Sequence, residues 1–183
     1  MGHAKQGVPF QPLNIAVLTV SDTRTPENDT SGDALVAGLT EAGHQLATRT
    51  ICIDDVYRLR AVASAWIADE NIQAILVTGG TGFTLRDSTP EAMKPLFDKH
   101  VEGFGELFRQ ISYQEIGTST VQSRAFAGIA NRTVIFCMPG STGACKTAWN
   151  NIIREQLDAR HRPCNFVEMV MAGAVDTACG SRG

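Results

Sequence analysis

Long apolar runs are missing from this 183-residue chain: no stretch approaches the ~20 consecutive apolar residues that a membrane-spanning helix needs. No membrane partner is therefore expected. Basic runs are missing too. Lys and Arg number 16 against 19 Asp and Glu, a formal net charge of −3, and no basic face offers the footprint of a nucleic-acid binder. The leading segment MGHAKQGVPFQPL has no hydrophobic h-region, which argues against a secretory signal and for a cytoplasmic location. The five cysteines, Cys52, Cys137, Cys145, Cys164 and Cys179, are odd in number and form no C-x-x-C pair. They read as reduced thiols. The four histidines lie far apart, so a zinc site of Cys and His is not expected, and a metal would need oxygen ligands. No histidine stands near a strand end, which disfavours Ser-His-Asp or Cys-His hydrolytic chemistry.

What the chain does have is a regular alternation of short apolar runs and amphipathic stretches. Residues 14–20, 46–53, 73–78 and 133–138 are β-branched, apolar runs of the kind that form buried strands. Between them lie helical stripes: Leu35, Val36, Leu39 and Ala42 after a capping-box spacing at Thr30 to Asp33, then Val56, Leu59, Val62, Ala63, Trp66 and Ile67. Thr89-Pro90-Glu91 reads as a cap followed by Pro at the first helical position. Phe104, Leu107, Phe108 and Ile111 mark a further helix, and Ala144, Ala148, Trp149, Ile152, Ile153 and Leu157 a long one. Strands alternating with helices imply βαβ units with right-handed crossovers. The expected fold class is α/β: three layers, a mostly parallel sheet with helices on both faces. The expected organisation is a flexible leader (1–12), one α/β domain (13–165) and a loosely held tail (166–183) rich in Gly and Ala.

In such sheets ligands sit beyond the carboxyl ends of the strands. The residues that follow each strand therefore form an inventory of candidates: Ser21 and Asp22, Asp54 and Asp55, Thr78-Gly79-Gly80-Thr81-Gly82 with Arg86 and Asp87, and Pro139-Gly140-Ser141-Thr142. Three glycines in four residues let a backbone come close to an anion and aim N–H groups at it. The loop lacks the Gly-Lys-Ser/Thr of a P-loop, and it follows the third strand where a dinucleotide-binding fingerprint follows the first. Asp87 is either a helix-terminus acid favoured by the macrodipole or a carboxylate that holds Mg²⁺ against phosphate oxygens. Asp54 and Asp55 face the same choice, one as cap and one as ligand. Ser119 and Ser123, in the hydroxyl-rich run 117–124, complete the list.

Five motifs occur in order: Thr-Gly-Gly-Thr-Gly at 78–82, Arg-Asp-Ser-Thr-Pro-Glu at 86–91, Gly-Phe-Gly-Glu-Leu-Phe-Arg at 103–109, Ser-Arg-Ala-Phe-Ala-Gly at 123–128 and Met-Pro-Gly-Ser at 138–141. Together they resemble the MoaB/MogA family of molybdopterin-binding proteins and the corresponding domain of gephyrin, from about residue 12 to 165. Gly-Phe-Thr after the glycine loop and Arg-Pro-Cys-Asn-Phe at 162–166 lean towards the MoaB branch. The resemblance implies a molybdopterin adenylyltransferase of molybdenum cofactor biosynthesis, a nucleotidyltransferase with Mg²⁺ and ATP as co-substrate and molybdopterin as substrate. On that reading Asp87 and Asp54 are catalytic, and Asp87, Asp54 and Asp55 are the candidate metal ligands. Thr78, Gly79, Gly80, Thr81, Gly82, Ser21, Asp22, Ser119, Ser123, Pro139, Gly140 and Ser141 would bind pterin or nucleotide. It also implies a homotrimer or homohexamer, with other cofactor-biosynthesis proteins as possible partners. The alternatives are a non-catalytic protein of the same fold that holds molybdopterin or its precursor and, from a different class, a phospho-acceptor domain using Asp22 or Asp54. The glycine loop after the third strand speaks against the last. Thiol titration under denaturing, non-reducing conditions is expected to find all five cysteines free, and any protected pair contradicts the reduced reading.

Overall fold

The computed structural model describes residues 7–172. Its sheet has six strands: β1 (Asn14–Val20), β2 (Gln45–Cys52), β3 (Ala74–Thr78), β4 (Lys99–His100), β5 (Phe126–Ala130) and β6 (Thr133–Met138), in the order β2-β1-β3-β6-β5-β4. The pairings β1–β2, β1–β3 and β3–β6 are parallel, and those of β5 with β4 and β6 are antiparallel. The four expected strands are all present. The two extra ones escaped notice for different reasons. β4 is too short to show a pattern, and β5 joins β6 through Asn131-Arg132, both at positive φ, a two-residue turn without the usual glycine.

The central strands are apolar on both sides because each side meets helices. On one face Ile15, Val17, Leu76 and Phe136 pack with Leu35 and Leu39 of α1 (Thr30–Glu41), Phe104 and Phe108 of α4 (Glu102–Ile116) and Ala148 of α5 (Thr142–Ala148). On the other, Ala16, Leu18, Ile75 and Val77 pack with Leu59 and Ala63 of α2 (Val56–Ala68) and Met93 of α3 (Thr89–Met93). The three-layer arrangement stands as the alternation implied. α5 continues through a π turn at Trp149–Ile153 into α6 (Arg154–Gln156), keeping the long apolar stripe inward. Among the described residues no helix is long and apolar enough to cross a membrane.

Three local expectations change. The cap of α1 is Asp29, whose Oδ1 accepts from Gly32 N at 3.0 Å; Thr30 is already helical and its hydroxyl meets Thr142 instead. Asp29 is fully buried, taking Thr19 Oγ1 at 2.7 Å and Arg49 Nη2 at 2.7 Å on its other oxygen. Burial opposes its charge, but Arg49, Gly32 and Thr19 outweigh that and lower its pKa. The packed body also runs past residue 165: α7 (Val167–Met171) buries Val167 and Val170 in the first core, so the loosely held segment does not begin at 166. Residues 173–183, including Cys179, lie outside the described residues. In the leader, Phe10 is held against the His44 ring and beneath the Arg160 guanidinium.

His44 is buried beside Phe10 and Trp149. Its Nδ1 accepts from Leu13 N at 3.2 Å, so the neutral ring carries its proton on Nε2, which finds no partner among the described residues. Burial lowers the imidazole pKa, with Asp158 pulling weakly the other way. The unfolded chain gains this proton near pH ~6.5 and the folded chain only below it, so the stability this site contributes is present above that value and lost as pH falls through the folded pKa. In His44→Asn the amide oxygen stands where Nδ1 does, without a titrating group. Wild type is expected to lose more thermal midpoint than His44→Asn between about pH 7 and 5; parallel losses in the two proteins would refute the assignment.

Candidate functional site

The sheet order reverses between β1 and β3, since β2 lies to one side of β1 and every later strand to the other. The carboxyl ends of β1, β3 and β6 meet there and floor a cleft of about 450 Å³. Ser21, Thr78 to Gly82, Asp87, Ser119, Ser123, Pro139, Gly140 and Ser141 all line it. One wall comes from α4, where Phe108, Ser112 and Ile116 fall on one helical stripe. Arg24 stands at the cleft as well.

The glycine loop is shaped by how closely the strand ends approach. Gly79 N donates to Met138 O at 3.0 Å, and a Cβ on Gly79 would overlap the Val20 carbonyl oxygen. Gly79 and Gly80 have φ of +102° and +62°, the region that a side chain disfavours. Thr89 ties the loop from behind, its Oγ1 donating to Gly79 O at 2.8 Å and its N–H to Gly80 O at 3.0 Å. Thr78 Oγ1 donates to Pro139 O at 3.1 Å and lies 3.0 Å from Cys145 Sγ. Burial pushes the Cys145 thiol up to about 11, so it is no nucleophile at neutral pH.

Two carboxylates flank this loop. Asp87 Oδ2 accepts from Thr84 N at 2.8 Å and lies 2.8 Å from where a Cβ of Gly82 would stand. Burial opposes its ionisation, but the Thr84 and Gly82 hydrogen bonds and the Arg124 charge outweigh it and hold the carboxyl below its usual range. Asp87 thus faces the loop; the cap position of α3 belongs to Ser88. Asp54 Oδ1 accepts from both Ser88 N (3.1 Å) and Ser88 Oγ, and its Oδ2 lies 2.6 Å from where a Cβ of Gly80 would stand. The other two aspartates are engaged elsewhere. Asp55 caps α2, accepting from Tyr57 N and Arg58 N, which makes Asp54 the ligand candidate of the pair. Asp22 takes Asp54 N on Oδ1 and Arg86 on Oδ2, in an adjoining groove rather than in the cleft lining. Ser141 caps α5 through Ala144 N at 3.1 Å while also lining the cleft.

Among the described residues no group of three or more His, Cys, Asp or Glu could hold a metal by itself. Two carboxylates beside a bed of amides form a different kind of donor set. It suits a hard cation that keeps most of its shell as water and phosphate oxygen, the habit of Mg²⁺.

Sequence reasoning missed Asp29, Arg24, Ser112 and the structural part played by Arg124. Ser112 was findable, standing four residues after Phe108 on the stripe that faces the sheet.

The chain matches the family model described as "Probable molybdopterin binding domain" over residues 16–159. It is 59% identical over 157 residues to molybdenum cofactor biosynthesis protein B of Escherichia coli (strain K12), covering 86% of this chain and 92% of that protein. A crystal structure of a molybdenum cofactor biosynthesis protein B superposes with a TM-score of 0.78 at 44% identity, over 80% of this chain and 92% of that one. The tungsten cofactor synthesizing protein MoaB from Pyrococcus furiosus does so with a TM-score of 0.69 at 36% identity, over 79% and 92%.

The glycines differ in what a methyl group would cost. Gly79→Ala strains φ and meets backbone, so a loss of about 3 kcal/mol or more is expected by urea denaturation. Gly82→Ala meets only the Asp87 side chain, which can swing aside at the expense of its bond from Thr84 N, and should lose about 1–2 kcal/mol. Equal losses would contradict the geometry.

Proposed function

The chain belongs to the family of molybdopterin-binding domains, and we propose that within molybdenum cofactor biosynthesis it acts as a molybdopterin adenylyltransferase. The terminal phosphate oxygen of molybdopterin attacks the α-phosphorus of ATP. A new P–O bond forms, the bond from the α-phosphorus to its bridging oxygen breaks, and pyrophosphate leaves with the bonding pair. What supports the reading is the pairing of an amide-rich glycine loop with Asp54 and Asp87 on either side of it.

Phosphoryl-type transfer asks for in-line positioning and neutralised charge more than for covalent chemistry. The amides of the 80–82 loop would hold phosphate oxygens, and the hydroxyls of Ser119, Ser123 and Ser141 would orient polar groups of the ligand across the cleft. Phe108, Ile116 and Ala144 give an apolar wall for a flat ring system. Asp54 and Asp87 would hold Mg²⁺, which when bound supplies positive charge against the phosphates. A homotrimer or homohexamer remains part of this proposal.

Incubation with molybdopterin, Mg²⁺ and ATP, followed by detection of adenylylated pterin and pyrophosphate, tests it. In Asp87→Asn the rate is expected to fall by ~10²-fold or more, worth about 3 kcal/mol of transition-state stabilisation. Its thermal midpoint should stay close to wild type, since Asn can still accept from Thr84 N. Near-normal turnover in that variant would remove Asp87 from the chemistry. Tight molybdopterin binding without turnover in the wild type would replace the enzyme by the non-catalytic binding protein.

A further inference from the structure

Ser123 and Arg124 precede β5 in extended backbone, Ser123 with φ −95° and ψ 119°, so their side chains leave on opposite sides. Ser123 lines the cleft, while Arg124 does not and lies behind the glycine loop. There its contacts converge on one segment. The backbone N donates to Thr81 O at 3.2 Å, Nε to Gly82 O at 2.8 Å and Nη2 to Asp87 O at 2.7 Å. Nη1 pairs with Glu91 on α3, and the guanidinium lies 5.2 Å from the Phe83 ring centroid. One residue therefore holds three carbonyls at both ends of the 82–87 loop.

The planarity of the peptide bond turns this into a statement about the cleft. In a trans peptide the C=O of one residue and the N–H of the next point in opposite directions. Drawing the carbonyls of Thr81, Gly82 and Asp87 backwards onto Arg124 therefore turns the N–H groups of Gly82, Phe83 and Ser88 forwards. Ser88 N–H donates to Asp54 Oδ1 at 3.1 Å, and the Asp87 carboxylate lies against Gly82, its Oδ2 2.8 Å from where a Cβ of that residue would stand. Both carboxylates that flank the loop thus rest on peptides whose orientation Arg124 sets.

We propose that Arg124 is the positioning residue of this site, a rear clasp that aims the loop amides and, through them, sets Asp87 in the cleft and Asp54 beside it. The inference rests on reading the cleft as the molybdopterin and nucleotide site. The clasp works through the geometry of the planar fork as well as its charge: a lysine ammonium, a single point donor, cannot span the Gly82 and Asp87 carbonyls while holding Glu91.

The test compares Arg124→Lys, Arg124→Ala and Glu91→Gln with wild type by hydrogen exchange of the Thr84 and Ser88 amides, the donors to Asp87 and Asp54, and by calorimetric binding of molybdopterin. In Arg124→Ala exchange at these amides should quicken at least tenfold, and molybdopterin affinity should fall at least tenfold. Arg124→Lys should follow Ala in both readouts, and Glu91→Gln, which frees only one arm of the fork, should lie between Ala and wild type. Full rescue by Lys would overturn the clasp in favour of charge alone, and amide exchange unmoved in every variant would overturn it outright. Should Arg124→Ala fail to fold, the Lys and Gln variants decide by the same two readouts. If wild type itself binds no molybdopterin, the proposed function fails, and the amide exchange still judges the clasp.

Discussion

Everything at this site follows from the closeness of three strand ends. Val20, Thr78 and Met138 finish β1, β3 and β6 side by side, and the chain leaving β3 must pass between the other two. It can do so only without a Cβ, because the Val20 carbonyl occupies that space. The floor of the cleft is therefore backbone, rich in N–H and C=O and poor in side chains. Charge has to be brought in from the rim, Asp87 from the loop beyond the glycines and Arg24 from the turn after β1, while Asp54, from the turn after β2, stands against Gly80 outside the cleft lining.

The carboxylates so delivered are mostly held by amides and hydroxyls. Asp87 takes Thr84 N and Asp54 takes Ser88 N and Oγ, while the nearby arginines are spent on carbonyls or on Asp22 and Glu91. An acid fixed by neutral donors keeps its full charge available to a cation in front of it. Asp29 shows the contrasting use. It is closed off from solvent and bound to Arg49, where removing the arginine would strand a buried charge at a cost of about 3–5 kcal/mol. That pair ties the start of α1 to β1 and β2 and belongs to the frame rather than to the chemistry.

Much of this was legible in the residues. The four apolar runs, the stripes on α1, α2 and α5, and the convergence of Ser21, the glycine loop and Pro139 to Ser141 on one edge all followed from period and chain order. What stayed hidden was pairing information. Nothing in Asn131-Arg132 advertises a hairpin, and nothing in the Asp54-Asp55 pair says which one caps α2, a choice visible only in the hydrogen bonds from Tyr57 N and Arg58 N to Asp55. Asp29 was overlooked because Thr30 to Asp33 offers a capping pattern of its own, and only its distance to Arg49 and Thr19 reveals the competitor. The segment after 166 looked loose by composition, although Val167 and Val170 sit at a spacing that buries both.

The tight passage at Gly79 also bears on how such a sequence can diverge. β1, β3 and β6 are apolar on both faces, so alternation alone does not fix their frame, and a slip by one residue would still present apolar side chains to each layer. The frame is pinned at the strand ends, where a glycine must coincide with the Val20 carbonyl. On the proposed reading, a descendant that lost the transfer activity would keep Gly79 merely to fold, while Asp87, partly exposed and supporting only its own loop, would be free to drift. In comparing related chains, the glycines then trace shared architecture, and retention of the acid is the better marker of retained chemistry.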